Sequence, residues 1–266
     1  MMFQSPPTIL CLSGFDPSGG AGIQADIESI ASMGGHAVPV ITALTVQNTQ
    51  NVDYFQAVES QLFSDQINKL FDDVPIKAIK IGMIGSLNII ECIGNILKQH
   101  PDLPVIYDPV LTAGSGANLT ETDMLDAIRE RVLPHTTILT PNSPEARQLS
   151  GKNDLKDCGK RLMEQGCDAV LLTGTHEDEK HVNNIWFQNG QYVETFSWDR
   201  LPHEYHGSGC TLASAIAALV AQGLDGFNAV NEAQEYSWNT LKHAFAISEQ
   251  GQLIPSRFYW QHADDE

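Results

Sequence analysis

The chain has 266 residues, with 15 Lys and Arg against 33 Asp and Glu, a formal net charge of −18. So few cations leave little with which to build the basic surface that nucleic acid requires, and the deficit equally disfavours an anionic membrane surface. At 42% hydrophobic the chain is too apolar to be disordered, and its length suits one α/β domain over residues 1–266, with residues 1–7 as a flexible N-terminus.

Short β-branched runs recur along the chain, apolar on both parities, as strands buried on both faces are. They are Thr8–Leu12, Ala37–Leu44, Ala78–Ile84, Pro104–Tyr107, Thr137–Leu139 and Ala169–Leu172. Helical patterns lie between them. Ala21–Met33 carries Ile23, Ile27 and Ile30 on one face and is closed by Gly34-Gly35. Ser60–Phe71, a helix opening at Thr120 with Asp123 in a capping-box position, Leu155–Gln165 and Gly209–Gln222 follow. Two alternating runs within His181–Trp198 flank Asn189-Gly190, a type I′ signal that predicts an antiparallel hairpin at one sheet edge. The alternation predicts a mostly parallel sheet with helices on both faces, and ligands beyond the carboxyl ends of its strands.

No apolar run approaches the ~20 residues of a membrane helix. The first residues lack the basic and apolar regions of a secretory signal. Cys11, Cys92, Cys158, Cys167 and Cys210 are scattered without a Cys-x-x-Cys pair, which reads as reduced thiols of a cytoplasmic protein.

An acidic chain must handle an anion with backbone N–H groups, helix N-termini or a metal ion. Two glycine-rich segments offer such devices. Gly14 to Gly22, with Asp16 and Ser18, joins the first strand to the first helix. A tight turn alone accounts for part of this, but the glycines are denser than a turn needs. Gly20-x-Gly22-x-x-Ala25 approaches a dinucleotide fingerprint, yet the second strand ends without the acid that would hold a ribose. No P-loop is present. The second segment, His206-Gly207-Ser208-Gly209-Cys210, leads into an alanine-rich helix. Its first-turn N–H groups and dipole favour an anion, and a thiol there is expected to be acidified, so Cys210 is expected to be a thiolate near neutral pH. Asp108 ends one strand, and Asn142 and Glu145 stand at the turn after the next. Each acid alone suits a helix cap; together they suit a water-rich Mg²⁺ site.

Asp16-Pro17-Ser18-Gly19-Gly20-Ala21-Gly22 and Thr42-Ala43-Leu44-Thr45-Val46-Gln47-Asn48-Thr49 resemble the ribokinase superfamily, specifically its hydroxymethylpyrimidine/phosphomethylpyrimidine kinases of thiamine biosynthesis. Lys80-Ile81-Gly82-Met83-Ile84, Asp108-Pro109-Val110, Thr140-Pro141-Asn142-x-x-Glu145 and His206–Cys210 follow in the family's order, so the likeness spans about residues 8–250. The resemblance implies a ribokinase-like fold and ATP- and Mg²⁺-dependent phosphorylation of 4-amino-5-hydroxymethyl-2-methylpyrimidine, then of its monophosphate. It also implies a homodimer. Cys210 would take the hydroxyl proton while Gly207, Ser208 and Gly209 hold the phosphoryl group. Gln47, Gly14, Asp16, Ala21, Val46 and Met83 would bind the pyrimidine. Asn142, Thr173, Gly174, His206, Gly207 and Gly209 would bind ATP, and Asp108 and Glu145 the metal.

Two departures stand out. Ala113-Gly114-Ser115-Gly116 lacks the family's lysine, and Thr173-Gly174-Thr175-His176 replaces Lys-Gly-Gly-His. These losses put the second phosphorylation in more doubt than the first, and leave a site with almost no Lys or Arg near it. Lys180 could reach in from the hairpin, while Glu177-Asp178-Glu179 reads as a solvated loop. The alternatives are a pyridoxal-type kinase, a catalytically silent pyrimidine-binding relative and, last, a dehydrogenase.

Overall fold

The structure is a computed structural model and describes residues 5–111 and 122–262. In chain order the elements are β1 (Thr8–Phe15), α1 (Gly22–Ser32), β2 (His36–Gln47), β3 (Val52–Ala57), α2 (Ser60–Phe71), β4 (Ile76–Ile81), α3 (Leu87–Gln99), β5 (Val105–Tyr107) and α4 (Thr122–Arg131). They continue with β6 (Ile138–Leu139), α5 (Ser143–Ser150), α6 (Leu155–Glu164), β7 (Ala169–Leu172), β8 (His181–Gln188), β9 (Gln191–Asp199), α7 (Ser208–Ala221) and α8 (Gly226–Lys242). All nine strands belong to one sheet of order β3-β2-β1-β4-β5-β6-β7-β8-β9. Its interior from β2 to β7 is parallel, and β3 at one edge and β8–β9 at the other run antiparallel.

Side-chain alternation along these strands divides the core in two. Leu10, Leu12, Ile79, Ile81, Val105, Tyr107, Val170 and Leu172 face α2 to α6. Ile9, Cys11, Ala78, Ile106, Ile138, Ala169 and Leu171 face α1, α7 and α8. Helix α7 is packed between α1 and α8, which is why it is alanine-rich and buried along most of its length. Small side chains let its neighbours approach.

The predicted hairpin is present, with Asn189 at φ 55° and Gly190 at φ 76°, the paired positive angles of a type I′ turn. Strands β1 and β2 run further than expected, to Phe15 and Gln47. Strand β3 and helices α3 and α8 were not anticipated, and neither was the full extent of α5. The Thr120 helix start, the Ala113–Gly116 run and residues 1–4 lie outside the described residues.

Candidate active site

The parallel strands open on one side of the sheet, and the loops that follow them converge there with the N-terminus of α7. The β1–α1 loop is organised by Asp16. Its buried carboxylate accepts the N–H groups of Ser18 and Ala21, each at 2.8 Å, and the Ser18 hydroxyl at 2.8 Å. His206 Nε2 lies 2.7 Å from the same carboxylate. Burial works to raise the Asp16 pKa, but the hydrogen bonds from His206 and Ser18 outweigh it and hold the carboxyl at about 2. The glycines are needed for close approach. Gly22 has φ 56°, and a Cβ there would strike the Gly14 carbonyl. A Cβ on Gly20 would strike the His206 ring.

Gly207, at φ 84°, is the N-cap of α7, and Ser208, Gly209 and Cys210 form its first turn. The N–H groups of a first turn have no intrahelical partner. Asp108, directly after β5, faces them: a Cβ on Gly209 would lie 3.5 Å from each Asp108 oxygen. The Asp108 charge bears on the Cys210 thiol of that turn. The expected thiolate is therefore corrected. Burial pushes the Cys210 thiol up to about 12; Lys80 pulls it down, but Asp108 and Asp26 push it further up. A helix N-terminus acidifies a thiol only where water and cations outweigh such surroundings.

Beneath Cys210 lies the first residue of the Lys80–Ile84 motif, whose own role its sequence context does not show. The Lys80 ammonium is fully buried, 2.6 Å from Asp26 and 3.1 Å from the Ser13 hydroxyl. Asp26 also accepts Ser13 at 2.6 Å and Ser214 at 2.7 Å. Burial disfavours the charge, but Asp26, Cys210 and Asp108 raise the Lys80 pKa well above its ordinary value. The expectation of a site almost without cations fails here, and again at Arg257. That side chain is wholly buried, and its Nη2 donates to the Gly20 carbonyl. Lys80 had a signal, a charge inside the otherwise apolar run Ala78–Ile84. Arg257, isolated near the C-terminus, had none.

Asn142 caps α5, and with Glu145 it forms a capping box. Asn142 Oδ1 accepts the Glu145 N–H, and Glu145 Oε2 accepts the Asn142 N–H, both at 2.9 Å. Glu145 thus takes part in capping the helix, as its position also suggested, from the third helical residue. Burial raises its pKa first, with Asp108 adding to it; burial likewise raises Asp108. Asp108 Oδ2 is buried without a hydrogen-bond partner. A buried, unpartnered carboxylate oxygen beside a second carboxylate fits a hard divalent cation, which takes one or two protein carboxylates and otherwise phosphate and water oxygens.

Thr173 pairs with Asn142 through an isolated parallel bridge. The Gly174 N–H donates to Asn184 Oδ1 at 3.0 Å. These two loops therefore adjoin. At the other side, Gly14 lies against Met83, whose sulfur would be 3.1 Å from a Cβ there. Gln47 is half-buried at the end of β2, where the pairing with β3 shifts register. Val46 is 43% exposed beside exposed Leu44, so it is not drawn inward with Thr45 and Gln47. Lys180 is exposed. The acidic run is not merely solvated. Arg147 grips Glu177 with two bonds of 2.8 and 3.0 Å, and Arg200 donates to the carbonyls of Thr175, Glu177 and Glu179.

A family model described as phosphomethylpyrimidine kinase matches residues 16–254. The hydroxymethylpyrimidine/phosphomethylpyrimidine kinase of Escherichia coli is 34% identical over 88% of this chain and 91% of its own length. The thiamine biosynthesis bifunctional protein ThiED of Geobacter sulfurreducens is 36% identical over 86% of this chain, which spans only 48% of that longer protein. A pyridoxal kinase of Bacillus subtilis, solved as an ADP complex, superposes with a TM-score of 0.85 at 26% identity, over 96% of this chain and 100% of its own. The fold is ribokinase-like and the chain is a kinase: it belongs to the phosphomethylpyrimidine kinase family.

Proposed function

We propose that the chain phosphorylates 4-amino-5-hydroxymethyl-2-methylpyrimidine from ATP, and then its monophosphate, in thiamine diphosphate biosynthesis. The observation that carries this reading is the Gly207–Cys210 turn set against Asp108, with the Asp16 loop locked to it through His206. Phosphoryl transfer asks mainly for positioning and for neutralisation of spread-out charge. The first-turn N–H groups of α7 receive the transferring phosphoryl oxygens. Gln47 offers a donor and an acceptor to the aminopyrimidine edge, and Gly14, Ala21 and Met83 border the ring.

As the substrate oxygen bonds to phosphorus and the bond to the ADP oxygen breaks, the hydroxyl proton must leave. Cys210 is neutral at rest, so Sγ takes the hydroxyl proton only as the thiol's own proton leaves to water or a phosphate oxygen. The loose transition state needs no strong base early. Asp108 and Glu145 would hold Mg²⁺, which supplies charge neutralisation at the phosphates. Asn142, Thr173 and Gly174 flank the nucleotide. We further take the chain as one cytoplasmic kinase domain. A homodimer through the β2–β3 edge is supported by Leu44 and Val46, 50% and 43% exposed, and Tyr54, 63% exposed.

The test is incubation of the protein with ATP, Mg²⁺ and the pyrimidine, with the products read by mass. Monophosphate followed by diphosphate is expected. Absence of any product despite saturable pyrimidine binding would overturn the reading. Pyridoxal is the second substrate to include, because the ADP-bound pyridoxal kinase shares the fold over nearly the whole chain.

A further inference from the structure

Arg257 follows α8 and lies beyond residue 254, where the family match ends. Its side chain is wholly buried, an expensive place for a charge unless every donor is used. Nη1 donates to Glu28 at 2.9 Å, Nε to the Thr211 hydroxyl at 3.0 Å and Nη2 to the Gly20 carbonyl at 2.5 Å. The last two contacts reach both glycine-rich segments. The Gly20 carbonyl and the Ala21 N–H belong to one planar peptide. Arg257 holds its oxygen, and Asp16, which also binds His206, holds its N–H. On the other side Thr211 accepts from Arg257 and donates its hydroxyl hydrogen to the Gly207 carbonyl at 2.8 Å, so the guanidinium also sets the N-cap of α7. The two peptides touch: a Cβ on Gly207 would strike the Gly20 carbonyl and lie 3.0 Å from Arg257 Nη2.

We propose that Arg257 is a positioning residue for phosphoryl transfer. Its rigid fork locks the Gly20–Ala21 peptide and the Gly207 cap in the one arrangement that presents the α7 N–H groups to the phosphoryl group beside the bound alcohol. Lysine cannot replace it, because a single ammonium cannot span acceptors on two elements in fixed directions. The charge also stands behind the α7 N-terminus, adding to the helix dipole there. The inference rests on the kinase reading for its rate consequence, but not for its structural one.

Arg257→Met and Arg257→Lys are the test variants. Ser32→Ala is the control, since Ser32 anchors only the Arg257 backbone carbonyl, at 2.6 Å, and leaves the guanidinium alone. Misplacement of reacting groups by about 1 Å can cost on the order of 100-fold in rate. Arg257→Met should therefore lose about 100-fold in kcat with KM for ATP changed less, Arg257→Lys should lose about 10-fold, and Ser32→Ala should keep its kcat. Amide exchange over residues 18–24 and 206–212 should quicken in both arginine variants whatever substrate is supplied. Should the methionine variant not fold, the lysine variant gives both readouts. Unchanged kcat and exchange in a folded arginine variant, or an equal kcat loss in Ser32→Ala, would overturn the inference. A wild-type protein that phosphorylates nothing while exchange responds to Arg257 would overturn the kinase reading instead.

Discussion

Replacing Asp108 with Asn should stabilise the protein without ligands while abolishing its turnover. Asp108 is 5% exposed, its Oδ2 has no partner, and burial raises its pKa. Leaving a buried polar group unsatisfied costs about 1–3 kcal/mol, and more for a charge. The substitution removes the charge but also the pull of Lys80, which is a modest loss because Lys80 keeps Asp26 at 2.6 Å. A net gain of about 1–2 kcal/mol remains, or roughly 2–8 °C in Tm for a chain of this size. Thermal unfolding in a chelator reads this gain directly.

The pH dependence provides an internal check. Because the folded pKa of Asp108 lies above its unfolded value of 3.8, its contribution is most favourable at low pH and is lost as pH rises towards the folded value. The Asn variant should lack that part of the slope. Adding Mg²⁺ and nucleotide should reverse the order, since a ligand at 100 times its Kd stabilises only the competent protein, by about 2.7 kcal/mol. An Asn variant that melts below wild type in chelator, or that still turns over, would refute the assignment of Asp108 as an uncompensated charge held for catalysis.

Three further outcomes follow from the same geometry. Cys210→Ala should reduce kcat by at least about 100-fold while nucleotide binding, read by calorimetry, stays within about 3-fold, because proton transfer by a positioned group contributes roughly that much. Lys80→Met should lower stability to urea by about 3–5 kcal/mol, since it strands buried Asp26, and adding Asp26→Leu should recover most of the loss. Asp16 is held at about 2 by bonds that ionisation makes possible, so it contributes about 2 kcal/mol above pH 3.8 that disappears as pH falls towards 2. Acid titration of Asp16→Asn should lack that component.

What was legible follows physical lines. The buried strands announced themselves because both faces are covered, and Asn189-Gly190 because few other pairs take two positive φ angles. Strand β3 was not, since Val52-Asp53-Tyr54-Phe55-Gln56-Ala57 lies at an edge with no residue fully buried and shows no clean alternation. Helix α3 carried a readable pattern in Ile89, Ile90, Ile93, Ile96 and Leu97, but it follows closely on apolar β4 and its glycine-containing turn. The site's loops were readable as residue types after strands. Their electrostatics were not, because the pKa of Cys210 depends on Asp26, Lys80 and Asp108, which are distant in sequence.

The net charge of −18 illustrates the difference between a total and a field. Exposed acids act through water and are screened within about a Debye length, ~8–10 Å at physiological salt. Lys80 and Arg257, each paired with an acid, act in the interior, where screening is weak, so two side chains out of 15 cations bear on the α7 turn as the surface charge does not. The same reasoning bears on the metal. Around Cys210 the ionised groups would be Asp26, Asp108 and Glu145 against Lys80, that is, −3 + 1 = −2. The cluster therefore resists ionising fully by itself, as the raised pKa values of Asp108 and Glu145 express. A divalent cation, and no monovalent one, brings it to neutrality. An acidic protein can thus bind a polyanion if the carboxylates nearest its site are arranged to want a dication, while the anion itself meets backbone N–H groups that a buried guanidinium holds in place.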